Sequence, residues 1–295
     1  MSKVRELYLD PVLTDDETAK LSGELLGETS YKVLIEQDTD VYCKETNNCI
    51  AKFRKEAIPA NIAISAYKSL KKAATPTANR AKASSKKGEF RIKKDGKLSN
   101  THAAKTIKSG IIGYFDRTVR TPYCRQTAFN QKEFEKFKQA YGIIKFVDNK
   151  YKELMPEHYE LQRNVADETS KDFIIPDTSF TTVTVNSNWQ TAIHTDKGDF
   201  ERGFGNLTVL RKGRYEGGYF VVPKWGLAFD MQNCDLLLVD VHQWHGNTPI
   251  KKIDEKAHRL SLVMYYREKM FKCGSAEEEQ KIAKHRPIRQ GADLY

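Results

Sequence analysis

From Phe173 onward the chain breaks into short runs of β-branched and aromatic residues cut by Gly, Pro and Asn: FTTVTVN, GNLTVLR, GGYFVVP, LAFDM, CDLLLVDV and RLSLVMYY. Runs this short and this closely spaced cannot be long helices, and they predict an antiparallel sandwich or barrel. The first half reads differently. A capped helix is expected over 14–26, opening T-D-D-E, then a strand-like stretch YKVLIEQDTDVYC, a short helix IAISAYKSLKKAA over 62–74, and a long helix over 130–155. Helices first and strands later, without regular alternation, argue against a parallel doubly wound sheet. The expected class is α+β with a mainly β core. One domain over 1–295 is expected to hold that core at 173–270, with flanking N-terminal helices and a C-terminal tail at 271–295.

With 39% hydrophobic and 30% charged residues, the chain is neither disordered throughout nor fibrous. No stretch approaches the ~20 apolar residues of a membrane span, and the start lacks an apolar signal core, so a soluble intracellular protein without a membrane partner is expected. The five cysteines are odd in number and scattered, without CxxC pairs, which predicts reduced thiols. Cys43 and Cys49 lack the second pair that a tetrahedral metal site would need.

The net charge of +10 is concentrated in one place. Between Lys71 and Lys108 stand twelve basic residues against Glu89 and Asp95; the rest of the chain balances, since 49 less 12 and 39 less 2 are both 37. Within that segment PTANRAKASSKKGEF loses apolar periodicity and reads as a loop or arm. Its natural partner is a polyanion such as DNA.

His194 and Asp196 follow a strand-like stretch, and residues two apart on a strand share a face. His245 ends the apolar run CDLLLVDVHQWH. Two histidines and one carboxylate make the facial triad of non-haem iron(II), which leaves positions open for co-substrate and oxygen. Further on, Arg259 and Ser261 share a face of the last strand, where a guanidinium with a neighbouring hydroxyl can grip a carboxylate. His242 competes with His245: on a regular strand the two point to opposite faces, and only one can meet the metal. His258 is expected to pack or to face solvent.

In this order HTDKGDF, GGYFVVP, WHGNTPI and HRLSLVMYYREK resemble the 2-oxoglutarate oxygenases of the ten-eleven translocation and base-J-binding type, with SGIIGYFDRT and CRQTAF a looser match; the resemblance covers about 110–270. It implies a double-stranded β-helix (a jelly roll, cupin-like), His194, Asp196 and His245 as iron ligands, and Arg259 with Ser261 as the 2-oxoglutarate clamp. It also implies Fe(II) with 2-oxoglutarate and O2 as co-substrates, hydroxylation of the 5-methyl group of a pyrimidine in DNA, and Asp199 at a base-reading position. Where some members place a base-contacting histidine this chain has Arg267, and cysteine-rich zinc modules are absent from it. Asn186, on the strand leading to His194, is a candidate co-substrate contact.

If Asp199 and Arg267 both line the base pocket, an acceptor and a donor face the base, an order that suits 5-methylcytosine better than thymine. Thymine remains one alternative. An oxygenase of the same chemistry acting on a protein side chain or small molecule is another, and a DNA-binding module on an inactive β-helix is a third, against which an intact triad and clamp argue.

Overall fold

The computed structural model describes residues 4–77, 80, 83, 90–92, 98–102, 107–119 and 121–285, with 90–92 and 98–102 described as backbone only. The strands in the first half are β1 (Arg5–Leu9), β2 (Val33–Ile35), β3 (Thr39–Cys43), β4 (Cys49–Arg54), β5 (Thr75–Thr77), β6 (Phe90–Ile92), β7 (Leu98–His102), β8 (Ile107–Phe115) and β9 (Arg125–Gln126). Those in the second are β10 (Thr182–Ser187), β11 (Gly205–Lys212), β12 (Tyr215–Gly217), β13 (Phe220–Val222), β14 (Leu227–Phe229), β15 (Leu236–Val239), β16 (Gly246–Asn247), β17 (Ile250–Lys252) and β18 (His258–Tyr265). The helices are α1 (Asp15–Lys20), α2 (Ala60–Leu70), α3 (Ala128–Lys132), α4 (Phe134–Gln139), α5 (Tyr141–Leu154), α6 (Pro156–Glu168) and α7 (Ala276–Lys284).

A large sheet runs β1-β3-β4-β15-β11-β18-β10-β8-β5, with β9 on β8, and a smaller one runs β16-β13-β14-β2. Alternation explains how the large sheet is covered on both sides. On β15, Leu236 and Leu238 join the core under the helices, whereas Leu237 and Val239 join the core against the smaller sheet. Leu70 of α2, Phe137 of α4 and Ile143, Ile144 and Val147 of α5 fill the helical side. Phe220, Val222, Leu227 and Phe229 fill the other.

On β18 the same period directs Leu260, Leu262 and Met264 to the helices. Arg259, Ser261, Val263 and Tyr265 are thereby turned toward a cavity between the sheets. β10 adds Thr184 and Asn186 to the cavity wall while Val183 and Val185 join the helical core. Strand register thus places Thr184, Asn186, Arg259 and Ser261 on the cavity wall, whereas His194, Asp196, Asp199, His245 and Arg267 reach it from segments outside the strands.

All six strand-like runs of the second half contain strands. The sheets nevertheless reach beyond 173–270: β4 pairs with β15, β8 pairs with β10, and β2 pairs with β14. The long helix expected over 130–155 is three helices, broken where Glu133 takes φ −135° and ψ 42° and where Ala140 caps the next turn. The helix expected over 14–26 keeps its capping box at Thr14 and Glu17 but stops at Lys20. Of the expected tail, residues 276–284 form α7, and Glu279 within it is buried against Arg117 and the backbone N–H groups of Cys124 and Gly274. No helix among the described residues is long and apolar enough to cross a membrane.

The expectation of five reduced thiols is overturned by a disulfide between Cys124 and Cys273; Cys43, Cys49 and Cys234 are free. Sequence spacing conceals this bond because the two cysteines lie 149 residues apart. Closing so long a loop restrains the unfolded chain. Replacing both cysteines by serine is expected to lower stability by about 2–5 kcal/mol in urea denaturation under oxidising conditions. An unchanged midpoint would show that the bond contributes nothing.

Candidate active site

His194 and His245 face each other across an isolated antiparallel bridge, each backbone N–H donating to the other's carbonyl at 2.9 Å. Their rings lie 4.5 Å apart, and Phe220 stacks on His245 at 5.1 Å. Each Nδ1 lies against a backbone carbonyl, His194 with Ala192 at 2.8 Å and His245 with Gln243 at 2.9 Å. A carbonyl only accepts, so both Nδ1 atoms carry the proton and both Nε2 lone pairs are left for another partner.

Those two Nε2 atoms stand 3.7 and 3.8 Å from the Asp196 carboxylate oxygens. The three ligand atoms all lie within 4.8 Å of one another. The Asp196 N–H donates to Val241, which fixes the carboxylate's segment against the strand end that precedes His245. Burial and the neighbouring His194 push His245 down to about 4, so its imidazole is neutral at physiological pH, the form that binds metal. Two imidazoles whose Nδ1 atoms are held by backbone carbonyls, with one carboxylate close to both Nε2 atoms, fit a divalent metal.

His242 does not join them. β15 ends at Val239, so His242 lies in a turn, where its ring contacts Asp240 at 3.0 Å and is raised above its ordinary value by that hydrogen bond. The choice between the two histidines is thus made by a turn, not by strand alternation.

Beyond the triad the cavity measures about 310 Å³, and Asn186, Asp199, Arg259, Ser261 and Arg267 all line it. Arg259 is 4% exposed, and its Nε finds no hydrogen-bond partner among the described residues. A buried guanidinium nitrogen without an acceptor is costly unless an anion fills the space before it. Gly218, at φ +70°, lets the backbone pass close by: a Cβ there would stand 3.3 Å from Arg259 Nε. These features fit a carboxylate ligand at the Arg259 end.

Asn186 is already engaged. Its Oδ1 accepts from Ser109 Oγ at 2.7 Å, and Ser109 Oγ accepts from Arg80 Nε at 3.1 Å. Asp199 is buried with Oδ2 unpartnered, and burial with the charge of Asp196 raises its carboxyl well above the ordinary range against the pull of Arg267 and Arg80. Arg267 directs Nε and Nη2 to Asp116 Oδ1, both at 2.8 Å, and lies over Phe115 at 5.0 Å. Asp199 and Arg267 face each other as a backbone bridge, but the carboxylate that holds the guanidinium is Asp116.

Sequence reasoning missed three residues here. Tyr265 was open to discovery by the same alternation that gives Arg259 and Ser261. Arg80, which lines the cavity, is hidden within the basic run, and Asp116 carries no local signal at all.

Residues 110–268, more than half of the chain, match the family described as the oxygenase domain of the 2OGFeDO superfamily. The chain is 34% identical over 181 residues to a bifunctional helicase and thymine dioxygenase JBP2 of Leishmania braziliensis, covering 61% of this chain and 16% of that one. It is 36% identical over 187 residues to a thymine dioxygenase JBP1 of Trypanosoma brucei brucei, covering 60% of this chain and 21% of that one. The chain therefore spans about a fifth or less of the length of these relatives. Among solved structures, NgTET1 in complex with 5mC DNA superposes with a TM-score of 0.60 over 93% of this chain and all of that one, at 10% identity, a likeness of fold. The fold is the jelly roll of 2-oxoglutarate oxygenases. The chain belongs to the TET/JBP family of that oxygenase superfamily, whose chemistry uses Fe(II), 2-oxoglutarate and O2.

Proposed function

We propose that this chain hydroxylates the 5-methyl group of a pyrimidine in DNA, with His194, Asp196 and His245 holding iron(II) and Arg259 with Ser261 holding the distal carboxylate of 2-oxoglutarate. The observation that carries the reading is the pairing of two ends in one cavity: three convergent ligand atoms at one, a buried guanidinium whose Nε lacks an acceptor among the described residues at the other. When bound, the iron with 2-oxoglutarate supplies the activation of oxygen that the protein lacks. The chain's own part is placement. Ala192 and Gln243 hold the imidazole tautomers, Phe220 covers one ring face, and the Ser109–Asn186 contact fixes the strand between clamp and triad. A methyl group on a base must leave the duplex stack to reach this cavity, at a cost of a few kcal/mol. The segment Lys71–Lys108 is taken as a DNA-facing arm; most of its lysines lie outside the described residues.

The base is the finer question. A preference for 5-methylcytosine needs an acceptor for its amine and a free donor for its ring nitrogen. Ionised, Asp199 Oδ2 would be such an acceptor and would suit the amine of 5-methylcytosine, but burial and the charge of Asp196 favour its protonated form, whose O–H would instead donate to O4 of thymine. Arg267, expected to be the donor, is held by Asp116, so it no longer stands opposed to the N3–H of thymine. The relatives named thymine dioxygenases support thymine, and we take thymine as the first reading and 5-methylcytosine as the second. Competing duplexes that differ only in carrying thymine or 5-methylcytosine at one position decide between them. Predominantly 5-hydroxymethyluracil supports the first, and predominantly 5-hydroxymethylcytosine reverses the order.

A further inference from the structure

His258 opens β18 on the face opposite Arg259 and so stands outside the cavity. Its ring is held at both nitrogens: the Tyr67 hydroxyl lies 2.8 Å from Nδ1 and Ser187 Oγ lies 2.8 Å from Nε2. Tyr67 also packs edge-on against it at 5.6 Å. Around this fixed ring several chain segments end, and each brings a lysine. Lys212, ending β11, is the cross-strand partner of His258, and Lys108 on β8 is the cross-strand partner of Ser187. Lys71 caps α2, its N–H bonded to the Tyr67 carbonyl, and Lys252 ends β17.

All four lysines are exposed, and none forms an ion pair among the described residues. The nearby acid Asp254 is taken by Arg214. Burial and the positive charges of these same four lysines lower His258 from its ordinary value, an independent sign of how closely they gather. Like charges drawn together without a counter-charge repel, and an anion relieves the cost. The spacing identifies what kind of anion. Lys212 and Lys108 lie on strands three places apart in the order β11-β18-β10-β8, roughly 14 Å at ~4.8 Å per strand. That span is too wide for one small anion and suits successive phosphates of a nucleic-acid strand.

We propose that Lys71, Lys108, Lys212 and Lys252 form a docking patch for the phosphate backbone of duplex DNA, outside the cavity and centred on the Tyr67–His258–Ser187 contact. The proposal rests on the reading of DNA as this chain's partner. Lys71 and Lys108 also bound the segment that carries the chain's whole net excess of positive charge, so the patch continues that basic surface onto fixed ends of the sheet. Because it lies off the cavity, its contacts are with backbone and carry no base preference.

The test is binding of an unmethylated duplex, followed by fluorescence anisotropy across a potassium chloride series, for wild type and for the combined variant Lys71→Gln, Lys108→Gln, Lys212→Gln, Lys252→Gln. Each lost phosphate contact removes about 0.9 from the slope of log affinity against log salt, so the variant should lose about 3–4 from that slope and bind at least about tenfold more weakly at low salt. Exposed lysines that form no ion pair among the described residues should be replaceable without lowering the melting temperature, which checks the fold. In wild type, the His258 ring resonances should shift on addition of DNA. An unchanged slope and affinity, or a loss for heparin or an acidic peptide without a loss for DNA, overturns the patch. No turnover is involved, so the two readings fail separately. A slope lost in a protein that yields no hydroxylated nucleoside upholds the patch and removes the activity, whereas hydroxylation with an unchanged slope removes the patch alone.

Discussion

Replacing His245 by alanine is expected to abolish iron-dependent turnover, and His194→Ala and Asp196→Ala are expected to do the same. Each supplies one of three atoms that gather within 4.8 Å, and two remaining ligands cannot define an open metal face. The surroundings make compensation difficult: His245 is buried and stacked under Phe220, so a water entering the vacated volume would find the His194 Nε2 and Asp196 but no third protein donor in the described set. The loss should exceed the roughly 10–100-fold that follows from changing a residue which merely orients a ligand. His242→Ala is the control, because its ring is committed to Asp240 and is not part of the triad. Iron binding followed by absorption or calorimetry, beside turnover, checks the prediction. Full activity in the His245 variant together with loss in the His242 variant would mean that the wrong histidine has been assigned.

The second large effect concerns Arg259→Ala. The guanidinium is buried with Nε unsatisfied, so if it holds the distal carboxylate as proposed, it meets a group that has given up its water, and removing it strands that carboxylate. A loss of about 2–5 kcal/mol is expected, which corresponds to a rise of roughly 30-fold to a few thousand-fold in the 2-oxoglutarate concentration required. Iron affinity should not follow, because Arg259 is not among the three residues whose ligand atoms converge. Arg259→Lys should recover only part of the affinity, since an ammonium keeps the charge but not the planar fork. Titrating 2-oxoglutarate against both variants with iron held in excess reads this directly. Unaltered dependence in Arg259→Ala would place the carboxylate elsewhere.

How much of this was legible in the sequence depends on how local each signal is. β15 and β18 announce themselves because a run buried on both faces must be continuously apolar, and one that lines a cavity must alternate; Arg259, Ser261, Val263 and Tyr265 are one such alternation. The three triad candidates do converge, but not by same-face strand spacing: His194 and Asp196 lie beyond the end of β10, and His245 follows a turn after β15. Contacts that join distant segments were not legible. The recruitment of β1, β3 and β4 into the large sheet, the docking of α7 by Glu279, the Cys124–Cys273 bond and the Asp116–Arg267 pair leave no periodic trace in either partner. The last of these matters most for function, because it removes Arg267 from the role that its charge alone suggests. The break at Glu133 was missed for a different reason: the apolar residues on either side of it keep helical spacing and join one core, so the periodicity runs through the break unmarked.

The most direct test of the central claim is anaerobic loading with iron(II) and 2-oxoglutarate, exposure to oxygen in the presence of duplex DNA, and mass spectrometry of the digested nucleosides beside a measurement of succinate. The account predicts a 5-hydroxymethylated pyrimidine nucleoside that appears only when iron, 2-oxoglutarate and oxygen are all present and that is lost in His245→Ala. Succinate formed without any modified nucleoside, with turnover instead stimulated by a protein or small-molecule substrate, would contradict it.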